Sequence, residues 1–296
     1  MFHKLRILLR ALTGEIYVLL YKFHLLKILN ISNSEQRYPK IIVSLTSYGR
    51  RVEKAVPYTI MSLMRQTLKP DIIILNLDEK EWNNDNLPKC LLWLKEKGLT
   101  INFTRDIRSY TKLIPTLKLY PNEIIISVDD DIVYSKHLIK SLFNEYTRDS
   151  NAIWAIRTCD KNDYKKVKWR DKEYGFRTNH LLGTGGVLYP PHSLNDKVFE
   201  EKVWTKVAPI DDDIWFFMMG LLNGFDTKQV NTANRVYSYE HDLFYQIMHK
   251  GSRLKDHLKI DNALNDIINH YHIDLAKLSC QSVKNRIKSQ LPLTQL

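Results

Sequence analysis

Paired cysteines, a long uninterrupted apolar run and a glycine-rich phosphate loop are all missing from this chain of 296 residues. The three cysteines, Cys90, Cys159 and Cys280, lie far apart and form no CxxC pair. That argues against a zinc site or a disulfide framework and fits a reducing compartment. Near the N-terminus the longest uncharged apolar run is Ile16 to Tyr21, far short of the roughly 20 residues that a spanning helix needs. No small-residue cleavage site follows a compact apolar region, so a signal peptide is not expected. Neither GxGxxG nor GxxxxGK(S/T) follows the first strand candidate, which excludes a dinucleotide fingerprint and a P-loop. Internal repeats and low-complexity tracts are absent as well.

What is present is the composition of an ordinary folded protein, 44% hydrophobic and 26% charged. The length suffices for one large α/β domain or two small ones. A net charge of +11 favours anionic partners: nucleic acid, acidic headgroups or phosphorylated small molecules. Charge alone does not choose among them. The N-x-S/T triplets at Asn30 and Asn102 read as chance occurrences rather than glycan acceptors.

Residues 1–30 are dense in Leu, Ile, Tyr and Phe but interrupted by Lys4, Arg6, Arg10, Lys22 and Lys27. Two readings fit equally. One is a basic amphipathic helix lying on an anionic membrane surface, and the other is a helix packed on the domain, since aliphatic residues occur almost all round it. The C-terminal Lys277, Lys284, Arg286 and Lys288 either extend a basic surface or form a solvated helix face.

The body alternates strands and helices. Strands are expected at Lys40–Leu45, Asp71–Leu77, Thr100–Thr104 and Glu123–Val128. Helices are expected over Val52–Gln66, Leu87–Lys97, Tyr110–Leu119 and from Ser135 through Tyr146. Continuous apolar strands such as Ile72–Leu75 and Ile124–Ile126 suit a sheet covered on both faces. The alternation implies an α/β fold with a mostly parallel sheet and right-handed crossovers. Ligands of such sheets sit at the carboxyl ends of the strands, so those ends hold the candidate site.

The strongest signal is Asp129-Asp130-Asp131, where three carboxylates emerge as an apolar strand stops. Neighbouring carboxylates repel unless a cation or hydrogen-bond donors compensate them. Magnesium or manganese, which takes one or two carboxylates plus substrate phosphates, suits the cluster. A turn with a helix N-cap also uses Asp, but Ser135 already offers a cap for the following helix. A second triplet, Asp211-Asp212-Asp213, precedes an apolar helix beginning at Ile214. One carboxylate caps a helix, which leaves others for a cleft, where one can serve as general base. Between the triplets lies the glycine loop Leu182–Pro190, whose Gly185 and Gly186 permit close approach to a ligand on the acceptor side. Thr46-Ser47-Tyr48 ends the first strand, placed to hydrogen-bond and stack on a base. Lys112, after the third strand, can neutralise a diphosphate or simply be solvated.

In this order the motifs IIVSLTSYGRR, SLMRQTLKPDIIILNL, VDDD, TGG and DDDIWFF, from about Lys40 to Phe225, resemble GT-A-fold glycosyltransferases. The nearest are the family-2-like bacterial enzymes of capsule, O-antigen or lipooligosaccharide synthesis. The resemblance implies a GT-A, Rossmann-like sheet flanked by helices, with N- and C-terminal helical extensions. It implies a basic segment at 1–35, a catalytic domain at 38–240 and a helical extension at 241–296. Within the domain, 38–150 would bind the donor and 151–240 the acceptor. Donor contacts would fall on Thr46, Ser47, Tyr48, Lys112, Asp129 and Asp130, with Mn2+ or Mg2+ on Asp131 and Asp129. Asp213, with Asp212 beside it, would be the catalytic base of an inverting transfer, although a retaining course stays open. The donor would be a nucleotide sugar, a UDP-sugar favoured, and the acceptor a glycan or glycolipid. Nucleic acid is not an expected partner. A cytoplasmic place follows, with a peripheral seat on the inner face of the plasma membrane as an option.

The sequence departs from the family at the second strand end, where a frequent Asp is replaced by Asn76 or Asp78 within LNLDE. Asn262, Asn265 and Asp266 match no assignable position. Two other readings stay open. Asp129-Asp130-Asp131-Ile132-Val133 also fits the DxDx(T/V) pattern of haloacid-dehalogenase-type phosphatases, with Asp129 as nucleophile. The other is a non-catalytic basic binder of membranes.

Overall fold

The computed structural model describes residues 2–28, 31, 37–158, 181–230, 239–240 and 257–274. Cys159, Cys280, the basic residues from Lys277 to Lys288 and the side chain of Asn262 lie outside the described parts. Helix α1 (Phe2–Lys22) leads to β1 (Ile41–Thr46), then α2 (Arg51–Lys54) and α3 (Val56–Met64). Next come β2 (Ile72–Asp78), α4 (Lys89–Glu96), β3 (Leu99–Thr104) and a 3-10 turn over Arg108–Lys112. They are followed by α5 (Ile114–Leu119), β4 (Ile124–Ser127), β5 (Ile132–Val133) and α6 (Leu138–Arg148). After these run β6 (Ala152–Thr158), β7 (Leu181–Tyr189), α7 (Glu201–Val207) and α8 (Asp212–Leu222). The last described elements are β8 (Asp226–Gln229), β9 (Tyr239–Glu240) and α9 (His257–Tyr271).

Seven strands form one sheet in the order β3-β2-β1-β4-β7-β6-β8. β1, β2, β3 and β4 pair in parallel, as do β6 and β8, while β7 runs antiparallel to both of its neighbours. This is the mostly parallel, helix-flanked α/β sheet expected from the alternation. The chain builds outward from β1 through β2 to β3, then returns to place β4 on the other side of β1. The order therefore reverses between β1 and β4, the position where such sheets open a crevice for ligands. Because β7 is reversed, its first residues arrive at the same edge of the sheet.

Strand alternation divides the core. Val43, Leu45, Ile73 and Ile126 pack on one face beneath α3, α4 and α6. Ile42, Ile74 and Ile125 pack on the other with Trp204, Trp215 and Phe216. Each fully buried Ile or Val contributes about 1.5–3 kcal/mol of transfer free energy. One polar chain crosses the second face. The Ser44 hydroxyl donates to the Lys112 carbonyl and lies 2.6 Å from the Thr116 hydroxyl. Asn76 donates to Thr116 (3.1 Å) and accepts from Asn102 (2.8 Å). These buried groups satisfy one another and fasten the 3-10 turn that carries Lys112 to the sheet. Asn76 is therefore structural.

Three helix expectations need correction. Val52–Gln66 is two helices, broken at Ala55, and Tyr110–Leu119 is a 3-10 turn followed by α5. Pro57 and Pro115, in the first turns of α3 and α5, lack an N–H and clash with the carbonyl four residues earlier, so each starts a new helix. Ser135 does not cap α6, whose N-cap position is His137 with no capping side chain of its own. The cap comes from across the fold, because Gln66 accepts from the Ile139 amide (3.0 Å) and donates to the Ser135 carbonyl (2.7 Å).

Candidate functional site

A cleft of about 490 Å³ opens at the reversal point. Thr46, Ser47 and Tyr48 line it from the end of β1, Asp78 from β2, Asp106 and Arg108 from beyond β3, and Asp129 and Asp130 from beyond β4. Lys112 also reaches it. All six expected donor-side residues thus share one cavity. Thr46 donates to the Asn76 carbonyl (2.9 Å), which holds the rim of β1 to β2. Asp78, rather than buried Asn76, faces the space at the second strand end.

The first acidic triplet is tied down by Arg51. Its Nη1 lies 2.7 Å from Asp130 and its Nη2 2.6 Å from Asp131, while Ser47 donates to Asp130 (2.6 Å). Charge-assisted bonds of this kind are among the strong ones. The guanidinium also lies 5.7 Å from the centre of the Tyr48 ring, a cation–π distance. Thr59 donates to the Asp130 carbonyl (2.9 Å) and the Asp129 amide donates to the Tyr134 hydroxyl (2.8 Å). Burial raises the Asp130 carboxyl above its ordinary range, against the opposing pull of Arg51 and Ser47. Asp129 is different. Burial drives its carboxyl up to about 6, Lys112 opposes, and Asp131 and Asp213 push it further.

The second triplet is organised around Lys112. The ammonium lies 2.8 Å from Asp212 and 3.5 Å from Asp213. Burial pulls the Lys112 ammonium down, but Asp212, Asp213 and Asp129 together hold it well above its ordinary value, so it stays charged. Asp211 occupies the N-cap position of α8 without a capping side-chain bond. Capping therefore does not explain the triplet. The two first-turn acids differ in access: the side chain of Asp212 is 9% exposed and that of Asp213 is 28% exposed. Asp213 is anchored by the Gly183 amide, which donates to Oδ2 (2.8 Å). Tyr110, near Lys112 in sequence, is core: it is fully buried and stacks on Trp204 at 4.0 Å.

Gly185 and Gly186 do not form a loop. They lie inside β7, at φ +107° and +111°, beside a register shift between Ala155 and Arg157 of β6. A Cβ on Gly186 would meet Leu138 at 3.2 Å, so a glycine there lets the strand pack against α6. Gly183 is the glycine that matters at the site. A Cβ there would stand 2.5 Å from Asp213 Oδ1 and 2.8 Å from Lys112 Nζ. Sequence reasoning missed Gly183 and Arg51. Gly183 sat in the flagged TGG neighbourhood, and Arg51 lay inside the SYGRR segment, but neither is next to an acid in sequence.

Carboxylate oxygens are donors of the kind that hard divalent ions take. Among the described residues no group of three or more His, Cys, Asp or Glu is arranged to hold a metal ion. Magnesium and manganese do not need one where phosphate oxygens complete the shell. Asp129 and Asp131 are the outer members of the triplet, and the Asp129 carboxyl is raised first by burial, with Lys112 opposing and the Asp131 and Asp213 charges adding to the rise.

No family model matches the sequence, and no curated protein matches it. The chain path is similar to that of several solved structures. TarS of S. aureus, in complex with UDP, has TM-score 0.48 and 13% identity, over 83% of this chain and 70% of that one. The mannosyltransferase PcManGT of Pyrobaculum calidifontis, in complex with GDP-Man and Mn2+, has TM-score 0.46 and 10% identity, over 97% and 87%. Glucosyl-3-phosphoglycerate synthase of Mycobacterium tuberculosis, in complex with phosphoglyceric acid, has TM-score 0.45 and 9% identity, over 84% and 89%.

Proposed function

We propose that this chain is a glycosyltransferase that moves a sugar from a nucleotide donor to an acceptor hydroxyl, with inversion. The observation that carries the reading is one buried lysine linking two carboxylate groups across a switch-point cleft. Lys112 binds Asp212 and Asp213 and interacts with Asp129. The Thr46-Ser47-Tyr48 rim and Asp78 form a polar, aromatic end suited to a nucleoside. In this reading residues 38–150 bind the donor and 151–240 the acceptor.

Asp213 is the base. Its Oδ2 accepts from the Gly183 amide and, as a carboxylate oxygen, can accept a second hydrogen bond from an acceptor hydroxyl. As the acceptor hydroxyl oxygen bonds to the anomeric carbon and the bond from that carbon to the phosphate oxygen breaks, the hydroxyl proton passes to Asp213 Oδ2. Asp212, nearer to Lys112 and less exposed, is a positioning residue that keeps the ammonium from collapsing onto Asp213. A divalent ion held by Asp129 and Asp131 would neutralise the departing diphosphate. The motif resemblance supports a glycan or glycolipid acceptor in bacterial surface polysaccharide or lipooligosaccharide synthesis. The phosphatase reading is disfavoured, since its nucleophile ends the first strand of its domain, whereas three strands precede β4, the strand that Asp129 follows.

The test is calorimetric titration with a panel of UDP-, GDP- and CMP-sugars, with manganese or with chelator, paired with a transfer assay. Metal-dependent binding of one donor class is expected. Full turnover in excess chelator removes the metal from the proposal, and phosphate release through a trapped aspartyl-phosphate replaces it with the phosphatase.

A further inference from the structure

The N-terminal helix is packed on the domain along one side and bare along the other. Tyr17, Val18 and Tyr21 pack against the core beneath α1, and Tyr21 is buried. The helix lies against β9, β5 and α3, so this side faces the domain. The other side is a row of bare apolar residues: Leu9, Leu12, Ile16, Leu19 and Phe23 are 45–65% exposed. The spacing of three, four and three residues from Leu9 to Leu19 places those four on one stripe of α1, with Phe23 just past its end. Leu25, beyond the helix, is also exposed.

We infer that this stripe docks the protein on an anionic lipid surface, with α1 lying in the headgroup plane. The companion charges select the occupant. Residues 2–28 carry five basic side chains, Lys4, Arg6, Arg10, Lys22 and Lys27, against the single acid Glu15. Lys22 and Lys27 are exposed beside Phe23 and Leu25. A second copy of the chain would bring the same positive charge against itself, whereas acidic headgroups neutralise it. An exposed apolar stripe with exposed lysines at one end of it is the arrangement of an interfacial helix. No helix among the described residues is long and apolar enough to cross a membrane, so the contact is on the surface. This inference is independent of the chemistry assigned to the cleft.

The test is co-sedimentation of the full chain with vesicles of phosphatidylcholine alone or mixed with phosphatidylglycerol. The protein is expected to bind the anionic vesicles at least tenfold more tightly, with the gap narrowing in high salt. The triple variant Leu12→Ser, Ile16→Ser, Leu19→Ser should lose that binding while keeping its circular dichroism spectrum. Lys22→Gln with Lys27→Gln, which alters exposed residues alone, should weaken it several-fold. Equal binding to both vesicle types, or undiminished binding by both variants, overturns the inference. So does a concentration-dependent dimer that forms without lipid and is abolished by the triple variant, with no vesicle binding in the wild type.

Discussion

The two acidic triplets look alike in sequence and are held by opposite strategies. Asp130 and Asp131 are gripped by an arginine that the chain delivers at the start of α2, just beyond β1. Asp212 and Asp213 share a buried lysine. The guanidinium takes two carboxylates in a fork and immobilises them. The ammonium takes one acid closely and leaves the other at 3.5 Å, more exposed and fastened by a backbone amide. A fixed pair suits binding, and an asymmetric pair suits proton transfer. The largest expected effect tests that asymmetry. Asp213→Asn should lower kcat by about 10²–10⁴-fold with donor affinity changed by no more than a few-fold. Asp212→Asn should act mainly on stability, by about 3 kcal/mol, because a buried ammonium loses its nearest partner. Steady-state kinetics beside chemical denaturation would show the split, and its reversal would move the base to Asp212.

A second substitution probes the other triplet. Arg51→Met leaves Asp130 and Asp131 without their cation, so stability should fall by about 2–4 kcal/mol. If the triplet is built for cation neutralisation, manganese should raise the Tm of this variant more than that of the wild type. Equal shifts in thermal melts would separate Arg51 from metal binding.

The contrast also explains what the sequence made legible. Strand ends, both triplets and the Thr46–Tyr48 rim could be read because apolar runs such as Ile124–Ile126 stop abruptly at polar residues. The carboxyl-end rule then gathers them. Arg51, Gln66 and Gly183 could not be read in the same way. Arg51 meets acids about 80 positions away, Gln66 caps a helix that begins some 70 residues later, and Gly183 matters for space that other chains fill. Tertiary partners of this kind leave no local period. Gly185 and Gly186 misled for the opposite reason, since a glycine pair looks like a loop until its strand neighbours are known.

Gly183 offers a gentler test of the second triplet. Gly183→Ala puts a methyl group against Asp213 and Lys112 in a buried setting, so the side chains must shift. Overpacking of this kind costs about 1–3 kcal/mol, and turnover should fall about 10–100-fold as Asp213 leaves its amide anchor. Gly186→Ala should reduce stability through its positive φ and Leu138, with donor affinity and kcat per folded molecule unchanged. Activity normalised to the folded fraction distinguishes them. An equal kinetic loss in both would assign Gly183 a purely structural part.

The smallest effect concerns proton binding by the first triplet in the metal-free protein. Asp129 titrates at about 6 in the folded chain instead of its ordinary 3.8, so the native state holds its proton over a window where the unfolded chain has released it. Protons then favour folding. Stability should fall as pH rises from about 4 through about 6 and level off above, where both states are ionised. A shift of this size corresponds to about 1–3 kcal/mol at most, reduced where solvent reaches the carboxylate. Denaturant midpoints in chelator across that range measure it, and Asp129→Asn, which cannot ionise, should flatten the slope. The comparison between the triplets supplies the control. Asp213→Asn removes a carboxylate that interacts with Asp129, so it should shift the Asp129 transition to lower pH rather than abolish it. A slope unchanged by Asp129→Asn would place the proton elsewhere.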